Sequence, residues 1–385
     1  MSTSRGRHRR TRTLSAAVAV ALAAGGAGVW AATAPDGASA AETVVVSTTA
    51  QLEKAFAAAA PGTTIQLRGG TYHPARSLKS QADGTAQRRI TVTAHGSEKA
   101  VVDGSKLPEG QWLVGIGGDH WTLSGLTFRN APAHGVVVTS SVGGIFRNLT
   151  THGNGDSGFT LRGEGTTDNL IENLDSYGNY DARNHGQNAD GLAIKFGSGS
   201  GNRVVGARLH DNADDGLDLW QWASPVRIER SWAYGNGVNR WKDPAFEGNG
   251  NGFKLGGGGA GAAHVVTGNA AWGNTKHGFT ENSNPGALRL HRNTAYANGA
   301  SGYFFATSPS RLSRNLALDN TTGAVKLSGR VVSAANTWDT AGPARPAGLR
   351  NTDPATAYGP RRADGSLPAT TFLATGTPDI GAEMR

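Results

Sequence analysis

His134-Gly135-Val136, Ser157-Gly158-Phe159, Asp190-Gly191-Leu192, Asp215-Gly216-Leu217, Asn251-Gly252-Phe253, His277-Gly278-Phe279, Ser301-Gly302-Tyr303 and Thr322-Gly323-Ala324 are eight versions of one phrase. The steps from Gly to Gly are 23, 33, 25, 36, 26, 24 and 21 residues. A period near 24 with a strand and a turn in each unit marks a solenoid whose coils bury a core only by stacking. The units are rich in Gly, Asn and β-branched residues and lack long runs of period 3.6, which argues against a helical solenoid. The fold expected is all-β, a right-handed parallel β-helix of about ten coils.

An Asn precedes the Gly in most units, at Asn154, Asn179, Asn212, Asn236, Asn274, Asn298 and Asn320. Their recurrence predicts a ladder stacked at one corner of every coil, with Asn acting as a turn former that tolerates left-handed backbone.

Outside the repeat, residues 1–40 read as a signal peptide. Arg5, Arg7, Arg9, Arg10 and Arg12 precede an apolar stretch, and Ala38-Ser39-Ala40 supplies a cleavage site. Thr11-Arg12-Thr13 lacks the apolar residues that follow a twin-arginine pair, so general export to the extracellular space is expected. No second apolar run approaches the ~20 residues that span a bilayer, so no membrane association is expected.

Without residues 1–40 the chain carries 32 basic and 28 acidic residues, a net charge of +4. That balance suits an anionic substrate and is too weak for nucleic acid, which would want a basic stripe interleaved with aromatics. With no Cys, neither a disulfide framework nor thiolate chemistry is available. The organisation read from the sequence is a β-helix domain over 41–337 and a tail, 338–385, packed on the last coils. The β-helix begins with a capped amphipathic helix from Thr48 to Phe56 that presents Leu52, Phe56 and Ala59 as a lid on the first coil.

Two units break the rhythm. Between ladder Asn and motif Gly the ordinary gap is four residues, but it is 12 from Asn179 to Gly191 and 16 from Asn236 to Gly252. Both insertions fall at the same corner, so Tyr180 to Ala189 and Gly237 to Asn251 should rise as neighbouring loops. The coil between them carries Asp214, Asp215 and Asp218, and the coil before it carries Asp190 in register with Asp215.

Positions one and three after each Gly are mostly apolar, so position two faces out of the coil. That row runs Ala193, Asp218, Lys254, Thr280, Phe304. Neighbouring strands lie about 4.8 Å apart, and two carboxylates ~5 Å apart repel by about 3 kcal/mol at an effective dielectric near 20. A hard divalent cation relieves this, and oxygen ligands without His or Cys point to Ca2+. Asp190 and Asp215 also fit the role of turn residues in Asp-Gly pairs, but Asp218 sits inside a strand. Lys254 lies one coil beyond Asp218, within reach of anything bound there.

At these residues the chain resembles the family 9 pectate lyases. The matching motifs are Asn188-Ala-Asp-Gly191, Asp214-Asp-Gly-Leu-Asp-Leu-Trp220 and Gly248-Asn-Gly-Asn-Gly-Phe-Lys-Leu-Gly256. The resemblance implies Ca2+ ligands at Asp190, Asp214, Asp215 and Asp218 and a catalytic base at Lys254. It further implies β-elimination on polygalacturonate by a secreted enzyme, here expected as a monomer. Lys195, Asn251 and His277 project toward the same face as candidate substrate-binding residues, with ordinary surface or turn roles as the alternative. Trp220, Trp222 and Trp241 could stack on sugar or pack in the core. Three other functions stay open: a lyase on another uronate polymer, a polygalacturonase-like hydrolase, and a calcium-stabilised polysaccharide-binding β-helix without activity.

Overall fold

A computed structural model describes residues 42–339, 349–376 and 379–384, so the signal-peptide reading of residues 1–40 lies outside it. Three sheets of 12, 10 and 10 strands run the length of the solenoid, and in each one the neighbour of a strand comes from the next coil. All these pairings are parallel, the β-helix expected. The ten-stranded sheet that runs from Leu78–Ser80 to Val325–Leu327 contains the strand after each motif Gly, and we call it the site sheet. Its register aligns Ala193, Asp218, Lys254, Thr280 and Phe304 in one row, as the alternation of apolar residues required.

Inside the coil, side chains stack on their own kind. Phe253, Phe279 and Tyr303 lie with ring centroids 4.9 and 5.0 Å apart and nearly parallel. At the corner, each ladder Asn donates its Nδ2 to the Oδ1 of the next, at 2.8–3.0 Å from Asn154 through to Asn320. The motif Gly belongs to the same device. A Cβ on Gly216 would stand 2.6 Å from the Gly252 carbonyl and 2.9 Å from Asn236 Nδ2, and Gly252 and Gly278 are equally tight. The left-handed backbone falls one residue before each ladder Asn, at Gly153, Gly178, Asp211, Gly235, Gly273, Ala297 and Asp319, rather than on the Asn itself.

A second ladder, Asn269, Asn293, Asn315 and Asn336, runs at another corner. The first coil is closed by the one α-helix among the described residues, Thr49–Ala57, whose N-cap Thr48 forms a capping box with Gln51. Leu52 and Phe56 are buried beneath it, and the Phe56 ring packs on Trp121. No described helix is long and apolar enough to cross a membrane.

The tail does not stay on the last coils. Arg361 reaches Asp175 at 2.7 Å, Tyr358 packs on Tyr234, and Phe372 packs on Trp272. It thus covers Tyr234 and Trp272, the buried end of an aromatic stack that begins with His152, Tyr177 and His210 on the third sheet. Outward rings in adjacent coils make an apolar stripe, and the tail buries its last two members.

Candidate active site

The two inserted loops meet as expected. Tyr180 stacks on Trp241 with centroids 4.7 Å apart and donates its hydroxyl to Asp243 at 2.7 Å. Gln187 donates to Glu247 at 2.7 Å. Trp241 is therefore occupied in loop packing. Trp222 points into the core with no solvent exposure, whereas Trp220 stays half-buried beside Lys254, whose Nζ lies 5.4 Å from the indole centroid.

Beneath the loops the coil geometry gathers the acids. Asp190, Asp215 and Asp218 each place a carboxylate oxygen within 4.8 Å of the others. Asp214 stands apart from this trio. Its two oxygens accept the backbone N–H of Asn188 at 2.9 Å and of Asn249 at 2.6 Å, one from each inserted loop. In the structure it ties the bases of both loops to the acidic coil.

Two lysines reach into the trio. Lys195 Nζ lies 2.7 Å from both Asp190 and Asp218, and Lys254 Nζ lies 3.0 Å from Asp215 and 3.2 Å from Asp218. Lys195 shares its face with Lys254 because it is the second outward position after Ala193 on the strand Leu192–Ser198. Asn251 donates both its backbone N–H and its side-chain amide to Asp215 Oδ1, at 2.7 and 2.8 Å. Ser157, which the repeat marked only as a residue before a Gly, donates from Oγ to Asp190 at 3.2 Å. His277 turns elsewhere: its ring stacks on Phe304, and its Nδ1 accepts the Ser301 N–H at 3.2 Å.

The row faces out of the coil, yet at the acidic cluster its side chains, and Asp215 beside them, are sealed from solvent. Asp215 has no exposed surface, Asp218 has 1% and Lys254 has 8%. Long lysine side chains fold back over the carboxylates, and the loops close the rim. Burial, reinforced by Asp214 and Asp218, pushes the Asp215 carboxyl up to about 6 against the pull of Lys254. For Lys254 burial acts to lower the pKa, but Asp215 and Asp218 win and hold the ammonium above its ordinary range.

These residues fit a divalent cation. Four aspartates face two lysines, which leaves an excess of two negative charges when all are ionised, and Asp218 Oδ1 is buried with no hydrogen-bond partner. An all-oxygen donor set with several carboxylates is the chemistry of calcium.

A family model described as "Pel9A-like, right handed beta helix region" matches residues 31–317. Pectate lyase PEL9 of Emericella nidulans is 37% identical over 372 residues, which cover 88% of this chain and 90% of that protein. Pectate lyase L of Dickeya chrysanthemi is 34% identical over 89% of this chain and 83% of its own. The crystal structure of pectate lyase Pel9A superposes with a TM-score of 0.77 at 33% identity, covering 84% of this chain and 83% of that one. A rhamnogalacturonan lyase structure reaches a TM-score of 0.76 at 22% identity, a likeness of fold. The acidic coil under its two loops therefore stands on a shared scaffold, and the chain belongs to the Pel9A-like family of right-handed β-helix pectate lyases.

Proposed function

We propose that this protein is a secreted, monomeric lyase that cleaves polygalacturonate by β-elimination, with Lys254 as the base and Ca2+ held by Asp190, Asp215 and Asp218. The observation that carries the reading is the 3.0 and 3.2 Å contact of the Lys254 amine with two of the three gathered carboxylates. A group that shares the ligands of a cation is placed beside whatever that cation holds. Calcium, when bound, would pair with the substrate carboxylate and draw charge from C5, making its proton more acidic.

Lys254 loses both counter-charges once Asp215 and Asp218 are engaged by a cation, and its amine is then released from the ammonium form. The amine takes the proton from C5, the C–H electron pair becomes the C4 to C5 double bond, and the C4–O4 bond breaks with a proton taken up by the leaving oxygen. Lys195 is held at 2.7 Å by two carboxylates, more tightly than Lys254 is, and so is the poorer base and the better tether for Asp190 and Asp218. Asn251 supports the site through Asp215. Asp214 supports it by fixing the loops.

The test is ultraviolet absorbance on purified protein with polygalacturonate and calcium. A rise from the unsaturated product is expected, and chelator should stop it. New reducing ends without that absorbance would make the protein a hydrolase, and loss of neither signal in chelator would remove the metal.

A further inference from the structure

Lys195 has a cross-strand partner that the acidic cluster does not use: Arg162, on the strand Phe159–Glu164. After this pair the register slips, so that Gly163 faces Gly197 and Phe196 is left without a partner. The bulge ejects Phe196. Its backbone sits at φ +55°, and its side chain is 50% exposed, the one exposed phenylalanine among the described residues. A bulky residue in left-handed backbone is strained, and exposing a ring forgoes its burial. Bulges beside active sites re-aim side chains, and this one aims a ring at Arg162.

The guanidinium carbon of Arg162 lies 5.9 Å from the Phe196 centroid and 5.8 Å from that of Trp112. Arg129, Arg203 and Arg208 each lie within 2.9 Å of a carboxylate, but no carboxylate of the described residues pairs with Arg162. A cation kept between two rings, with its planar fork unspent, is built to receive an anion.

We propose that Arg162, Phe196 and Trp112 form a subsite for a uronate unit next to the bond that is cleaved. The guanidinium pairs with the sugar carboxylate, and the Phe196 ring carries the apolar face of the pyranose. The subsite rests on the reading of the acidic cluster as a uronate site. It makes Arg162 the residue that distinguishes free acid from methyl ester.

The test uses Lys254→Ala protein, which cannot turn over, and calorimetric binding of oligogalacturonate and its methyl ester in calcium. Adding Arg162→Gln should weaken the acid by roughly tenfold or more, leave the ester unchanged and flatten the salt dependence. Arg162→Lys should fall between, and Phe196→Ala should weaken acid and ester alike. In active protein Arg162→Gln should raise KM about tenfold with kcat within about twofold. An unchanged preference for acid over ester in Arg162→Gln overturns the subsite, as does an equal loss of both ligands. Selective loss of acid binding in a protein that proves unable to cleave polygalacturonate upholds the subsite and removes the lyase.

Discussion

The Lys254 ammonium lies 3.0 Å from the Asp215 carboxylate, in a pair whose acid has no solvent exposure. Each partner is the other's main compensation for burial, so removing one leaves an uncompensated charge. The outward-facing row suggests that Lys254→Ala would hardly change stability. The burial of the pair reverses that expectation. Lys254→Ala should lower metal-free stability by about 2–4 kcal/mol, and calcium should recover most of the loss by taking over the counter-charge. Denaturant titrations with and without calcium measure both.

Lys254→Arg separates charge from basicity. Arginine keeps the positive charge but cannot deprotonate at accessible pH, so the variant should stay folded without calcium and lose about a thousandfold in turnover. Turnover near that of the wild type would transfer the role of base to Lys195.

Asp218→Asn removes the carboxylate that both lysines and the proposed cation share. Calcium affinity should fall by at least about tenfold while the far-ultraviolet spectrum of the β-helix is retained, because the residue contributes nothing to the interior stack. Calorimetric titration reads the affinity directly. An unchanged value would place the cation elsewhere.

The ladder carries stability of its own. Asn236 donates to Asn274 at 2.9 Å and to the Leu209 carbonyl at 3.1 Å, and it accepts from Asn212 at 3.0 Å. Asn236→Ala would strand these buried partners and should cost about 2–4 kcal/mol. Asn249→Ala in the loop removes only an exposed contact with Lys276 and should change stability by less than about 0.5 kcal/mol. Equal effects in urea titration would mean that the ladder contributes no more than a surface loop.

His264 sets an acid limit. It has no solvent exposure, its Nδ1 accepts the Val226 N–H at 3.1 Å, and its Nε2 finds no partner. Burial pulls its pKa from 6.5 down to about 3. The folded chain keeps it neutral while the unfolded chain binds a proton, so its contribution is whole above about 6.5 and is lost as pH falls toward about 3. His264→Asn retains an acceptor for Val226 but cannot titrate. The stability gap between wild type and this variant should narrow on moving from pH 7 to pH 5, and a constant gap would refute the assignment.

The repeat was legible because stacking forces it. A Gly whose Cβ position meets the next coil's carbonyl, and an Asn that bonds another Asn above it, recur once per coil along this chain. The second ladder from Asn269 to Asn336 makes no comparable repeat in the sequence because only its last rungs are Asn, with Ser231 standing at the corner before them. Asp214 is a ligand that the resemblance implies, while the two loop amides that donate to its oxygens leave no mark in the sequence.

The sequence by itself determined which residues share a face, because alternation along a strand and one coil per repeat leave a single register that buries Phe253, Phe279 and Tyr303. Only the tertiary structure decided how deep that face lies and where it continues. Lys195 and Lys254 fold over the acids, and a one-residue slip between Arg162 and Gly163 turns Phe196 outward. Depth and slip arise at single residues 5 to 39 apart in the chain, and contacts made only once leave no period in the sequence that makes them.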